Sequence, residues 1–194
     1  SMSDLRKFTM TSPQPSLGTP RLLLRPFTLA DAPEVKRMAG RKEIADTTLQ
    51  IPHPYKDGMA EEWIRTHADA FTEGRQANFA VTDRRKGHLL GAIGLTLDSE
   101  HQNGDLGYWI GVKHWGNGYC TEAAEAILYY GFTQLLLHRI HANHMARNPA
   151  SGRVMQKIGM QYEGYQREHA KKSGRFEDLV LYGILKTEYL KRIR

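Results

Sequence analysis

Apolar and polar positions along the chain follow two rhythms, a helical one near the N-terminus and a shorter, strand-like one from the middle onward. Residues 21–25 (Arg-Leu-Leu-Leu-Arg), stopped by Pro26, predict a strand. Residues 28–39 place Val35, Met38 and Ala39 at helical spacing with Asp31 in the first turn. The polar stretch 46–57, with Pro52 and Pro54, reads as a surface loop. A second helix over 59–71 sets Trp63, Ile64, His67 and Phe71 on one side and ends at Gly74. Then come strands over 78–82, 89–97 and 106–112, joined by turns at 83–87 and 99–104. A helix from 119 to about 136, a strand over 139–145 and a short helix over 151–158 follow. Strands over 161–165 and 176–185, joined at Ser173-Gly174, complete the order. This is an α+β arrangement with a mainly antiparallel sheet in one domain, residues 19–194. Residues 1–18, punctuated by Pro13, Pro15 and Gly18, read as a mobile arm, with Ser1 ahead of Met2 as a tag remnant.

Composition narrows the class. The 194 residues are 40% hydrophobic and 25% charged, ordinary globular usage that excludes wholesale disorder. A single cysteine excludes an internal disulfide and a cysteine-based zinc site. No apolar run approaches the ~20 residues of a membrane span, so a cytoplasmic protein without membrane attachment is expected. The net charge of +6 favours an anionic partner. The basic residues are scattered, however: Lys171, Lys172 and Arg175 read as a loop, and 191–194 as a frayed tail. No helix carries a basic stripe interleaved with aromatics, so no nucleic-acid site is expected. His138, His141 and His144 recur every third residue, but on a strand 141 faces away from the other two; no metal site is expected.

The informative stretch is Val112-Lys113-His114-Trp115-Gly116-Asn117-Gly118-Tyr119-Cys120-Thr121-Glu122. Two glycines one residue apart sit between a strand and a helix, where unpaired amides and the helix dipole can receive phosphate oxygens. It is neither a Walker loop nor the three-glycine dinucleotide fingerprint, and by itself a plain strand-to-helix turn reads equally well. Glu122 complements the dipole in the first turn. Cys120, near a helix N-terminus, is either a small packed residue or a thiol of lowered pKa able to carry an acyl group. Tyr129, Tyr130 and Phe132 read as core and rim packing.

A second stretch joins the first: Asn148-Pro149-Ala150-Ser151, then Lys157-Ile158-Gly159-Met160. The ordered set Gly-Tyr-Trp (107–109), Gly-x-Gly-Tyr-x-Thr-Glu-Ala (116–123), Asn-x-x-Ser and Lys-x-Gly-Met resembles the GNAT acetyltransferase superfamily. It is most similar to the branch of Rim-type ribosomal-protein N-terminal acetyltransferases, and the likeness runs from about residue 19 to 185. The resemblance implies the GNAT fold, a twisted and splayed sheet of six to seven strands with about four helices. It also implies acetyl-CoA as donor and a primary amine as acceptor, with a protein N-terminus as the expected one, in a monomer or homodimer. The amides of Trp115, Gly116, Asn117, Gly118, Tyr119 and Cys120 would hold the diphosphate. The strand edge at Ile110, Gly111 and Val112 would pair with the pantetheine arm, Asn148 would contact that arm, and an amide near Ile110 would polarise the thioester. Ser151 would lie near the sulfur as proton donor, unless it is only a helix cap and water donates instead.

Three positions depart from the family pattern. Lys113 stands where the motif opens with Gln or Arg. Met155 stands where many relatives carry a tyrosine acid. Asn143 stands where some N-terminal acetyltransferases carry an acidic base. Asp105 is then the candidate base, with Glu163 read as structural, and the loop 47–55 as a possible border of the acceptor pocket. A site without a strong base suits an α-amine, neutral in roughly one molecule in seven at pH 7, better than a lysine, neutral in about one in 2,500. Two other readings are a small-molecule acceptor (polyamine or aminoglycoside) and a non-catalytic acyl-CoA-binding module.

Overall fold

The computed structural model describes residues 9–194. Eight strands form one sheet in the order β1-β2-β3-β4-β5-β6-β8-β7. They are β1 Leu17–Gly18, β2 Leu22–Arg25, β3 Gln76–Asp83, β4 Leu89–Asp98, β5 Asn103–Ile110, β6 Arg139–Met145, β7 Gln161–Lys172 and β8 Arg175–Leu185. All neighbours are antiparallel except β5 and β6, which run parallel and pair only at Asn103, Gly104 and Asp105. The helices are α1 Ala32–Ala39, α2 Lys42–Ala45, α3 Met59–Arg65, α4 His67–Thr72, α5 Tyr119–Thr133, α6 Pro149–Lys157 and α7 Lys186–Arg192. The expected α+β architecture is therefore present, with a larger sheet than six to seven strands.

Strand alternation divides the core into two layers. Leu106 and Ile110 of β5, with Ile140 and Ala142 of β6, pack beneath α5. Trp109 and Ala92 face the opposite layer, built on Val35 and Met38 of α1 and Ala60 and Ile64 of α3. Arg25 anchors that second layer by a forked bond to Asp31 (2.8 and 2.7 Å). Asp31 also accepts the Thr28 N–H at 2.8 Å, closing the turn that leads into α1.

The structure corrects three expectations. Residues 1–8 of the expected arm lie outside the described residues, but from Thr9 onward the chain is attached. Leu17–Gly18 pairs with β2, and the Met10 amide donates to Thr72 O at 3.1 Å. Lys191 and Arg192 of the expected frayed tail belong to α7, a helix started by Glu188 accepting the Leu185 N–H. Tyr189 of that helix is buried and stacked 5.0 Å from Phe132, and Arg192 grips Glu125. Lys172, read as loop, is buried and donates to the Ile51 carbonyl, tying the β7–β8 hairpin to the loop between α2 and α3.

Candidate active site

β5 and β6 separate beyond Asp105 because β6 follows its antiparallel partner β8 over its whole length. The gap is the mouth of a cavity of about 610 Å³. Asp105, Trp109 and Asn143 line it from the α1–α3 side, while Tyr108, Ser151 and Met155 line it from the α5–α6 side. Residues of opposite strand parity share one cavity, so the opening passes through the sheet.

Hydrogen bonding along β5 leaves donors in that opening. The Gly111 N–H reaches across to Leu90 O at 2.8 Å, and adjacent strand amides point to opposite edges. The Ile110 and Tyr108 N–H groups therefore face the gap. Gly111 itself serves β4, and a Cβ there would stand 3.1 Å from Met38 Sδ. Val112 begins a single 3-10 turn rather than extending the strand. Of the expected edge, Ile110 keeps its N–H toward the gap, the Gly111 N–H is taken by Leu90 O, and the Val112 carbonyl accepts from Trp115.

The glycine loop follows the end of β5 and leads into α5. Gly116 and Gly118 have φ of 77° and 76°, left-handed values that a side chain resists. Nothing lies within 4 Å of where a Gly116 Cβ would stand. Among the described residues, the amides of Gly116, Asn117 and Gly118 have no partner, and those of Tyr119, Cys120 and Thr121 form the open first turn of α5. Trp115 is a correction: its N–H bonds Val112 O at 3.2 Å, and its indole Nε1 donates to Ile110 O at 2.6 Å. It braces the loop rather than offering an amide.

The GNAT acetyltransferase domain model matches residues 21–161. The chain belongs to the GNAT acetyltransferase family. It is 31% identical over 176 residues to the N-acetyltransferase p20 of Bacillus licheniformis, covering 90% of this chain and 98% of that protein. It is 32% identical over 136 residues to the putative ribosomal N-acetyltransferase YdaF of Bacillus subtilis, covering 70% and 71%. Its fold overlays a spermidine N-acetyltransferase of Vibrio cholerae, crystallised with CoA and spermine. That match has a TM-score of 0.77 and 23% identity, covering 89% of this chain and 99% of the other.

Within this GNAT domain, Cys120 is partly buried, and loss of solvent pushes its thiol up to about 12. A raised thiol pKa favours the packed reading over an acyl-cysteine, since the thiolate is the nucleophile. Asn148 opens α6 and donates to Thr47 O at 3.4 Å, spanning from the β6 end to the acceptor-side loop. Glu163 is held by Arg139, as its structural reading expected. Asp105 stands half-exposed, with one carboxylate oxygen 3.8 Å from His141 Nδ1. Burial raises its pKa, opposed by the His141 charge. His144 projects from the other face, against Gly152 of α6, so the histidines do not converge.

Tyr108 is the residue that the motif reading passed over. Its hydroxyl donates to the Ser151 backbone carbonyl (2.9 Å) and accepts from Ser151 Oγ (3.2 Å). Burial raises the phenol pKa well above its ordinary value, so it keeps its proton and fixes the first turn of α6. The signal was present in Gly-Tyr-Trp, but only strand parity and the approach of α6 give it meaning.

Proposed function

We propose that this GNAT enzyme acetylates the α-amino group of a protein or peptide N-terminus, taking the acetyl group from acetyl-CoA by direct attack in a ternary complex. The two-sided cavity supports this reading. The coenzyme diphosphate sits on the amides of 116–120 and the pantetheine arm follows the open edge of β5, reaching Ser151. The amine enters from the α1–α3 side, beside Asp105. Its nitrogen forms the new C–N bond to the thioester carbonyl while Asp105, directly or through water, takes its proton. The Ile110 N–H receives the oxyanion. The C–S bond then breaks, and Ser151 or water protonates the thiolate. Holding both reactants in one opening supplies much of the rate by proximity.

The lining of the acceptor side carries the choice of acceptor. Gln50, Gln76, Asn78, Thr66 and Thr96 offer neutral amide and hydroxyl groups, and among the described residues Glu62 and Asp105 are the carboxylates of the cavity wall. Such a wall matches peptide groups next to one amine better than a polycation, which needs several carboxylates. Among the described residues no lysine or arginine lines the same wall, which keeps a polyamine acceptor as the second reading.

Release of CoA thiol across N-terminal peptides, polyamines and aminoglycosides tests this. Higher kcat/KM for peptides is the expected result; faster turnover of polyamines overturns the acceptor, and CoA binding with no thiol release overturns catalysis. Ser151→Ala is expected to lower kcat about tenfold, with CoA affinity measured by calorimetry within about twofold. An unchanged kcat removes Ser151 from proton transfer.

A further inference from the structure

The glycine loop is shaped by more than its own contacts through Trp115 and the Asn117 side chain. Thr19 and Arg21, 95 or more residues away in sequence, brace it from behind. Glu122 in the first turn of α5 accepts from Thr19 Oγ1 (2.5 Å), the Arg21 backbone N–H (3.0 Å) and Arg21 Nε (2.7 Å). The Arg21 guanidinium, fixed by that carboxylate and lying 4.7 Å over the Tyr119 ring, donates through Nη1 to the Asn117 carbonyl at 2.9 Å. The remaining Nη2 lies 3.5 Å from where a Gly118 Cβ would stand. Burial of Glu122 opposes its charge, but the bonds from Thr19 and Arg21 outweigh this and hold its pKa below the usual carboxylate range.

Peptide geometry gives the brace a consequence. In a trans peptide the C=O and the following N–H point in opposite directions, and the Asn117–Gly118 bond is trans. Drawing the Asn117 carbonyl toward Arg21 therefore turns the Gly118 N–H away from it, into the concave side of the loop. Two glycines at positive φ leave that peptide free to rotate; a fixed hydrogen bond on one side selects one orientation.

We infer that Arg21, set by Glu122, is a positioning residue that orients the Asn117–Gly118 peptide so that its amide receives the coenzyme diphosphate. Arg21 acts from the far side of the loop and does not itself touch the donor. This rests on the proposed assignment of residues 116–120 to the diphosphate. It makes Arg21 a determinant of donor affinity, not of chemistry.

The test compares two acetyl donors that differ in the diphosphate. Arg21→Ala and Arg21→Lys are assayed with acetyl-CoA and with S-acetyl-pantetheine, which lacks the nucleotide and diphosphate, and CoA binding is measured by calorimetry. Both variants are expected to weaken CoA binding and raise the acetyl-CoA KM about tenfold, equivalent to about 1.4 kcal/mol. In both, kcat is retained and kcat/KM for S-acetyl-pantetheine stays within about twofold. Lysine fails to restore affinity because it keeps the charge but loses the planar fork that Glu122 and Asn117 share. Unchanged CoA affinity overturns the inference. A parallel loss with both donors also overturns it, by showing a general structural role, and restoration by lysine shows a simple charge effect instead. Gly118→Ala separates the two levels. If it weakens CoA binding while Arg21→Ala does not, only the brace is wrong; if neither weakens it, the diphosphate assignment falls.

Discussion

Replacing Asp105 with asparagine is expected to lower kcat by about 10²- to 10⁴-fold, the range of a lost general base, while CoA affinity measured by calorimetry stays unchanged. The substitution keeps size and hydrogen-bonding capacity and removes the proton acceptor on the amine's side of the opening. Asp105 is set apart from Ser151 by the sheet itself, as odd and even β5 positions face opposite layers. Its pKa is raised, first by burial, so it remains protonated to a higher pH than a solvent carboxyl. Activity of the native enzyme should rise with pH as this group ionises, and that lower limb should be missing from the Asp105→Asn profile. A variant with full kcat, or with the same lower limb, assigns deprotonation to solvent.

The second large effect concerns acid stability. His67 is 6% exposed, and neither ring nitrogen has a hydrogen-bond partner among the described residues. It sits edge-on to Trp63 (4.4 Å between ring centres) and Phe27 (5.6 Å). Burial pushes its pKa down to about 4, against about 6.5 in the unfolded chain. Between those values the unfolded chain binds a proton that the native chain refuses. The contribution is therefore fully present above about pH 6.5 and is lost as pH falls toward 4, a difference of about 3 kcal/mol. His67→Phe keeps an aromatic ring against Trp63 and removes the titration. Urea unfolding at a series of pH values should show the native protein losing that stability from pH 6.5 to 4 and the variant losing about 3 kcal/mol less. Parallel curves would place the acid sensitivity elsewhere. Because Trp63 also lines the acceptor cavity, protonation of His67 would disturb the pocket wall as well as the fold.

The family was legible because its signals are local. Hydrophobic alternation located β6 at residues 139–145, where it is found, and the closely spaced glycines marked a backbone that departs from ordinary φ at Gly116 and Gly118. Short spacings also placed Ser151 in the first turn of α6. Local pattern failed where a residue's role depends on a distant partner. The C-terminal segment packs as α7 because Tyr189 finds Phe132, and Lys172 is buried because the hairpin folds under Ile51. Trp115 sits within the recognised motif, yet its ring and amide serve the loop's own structure.

The sequence by itself determined the order of the central elements from β2 to β8, the glycine loop and the family, since these are written in local periodicities and short motifs. Only the tertiary structure decided the rest. The separation of β5 from β6 opens a passage through the sheet, strand parity points Asp105 to one side and Tyr108, which meets Ser151 of α6, to the other, and Arg21 comes to rest behind Asn117. The physical reason is that strand pairing joins segments a hundred residues apart. Side chains take their chemistry from whichever segment arrives beside them, and no local spacing records that arrival.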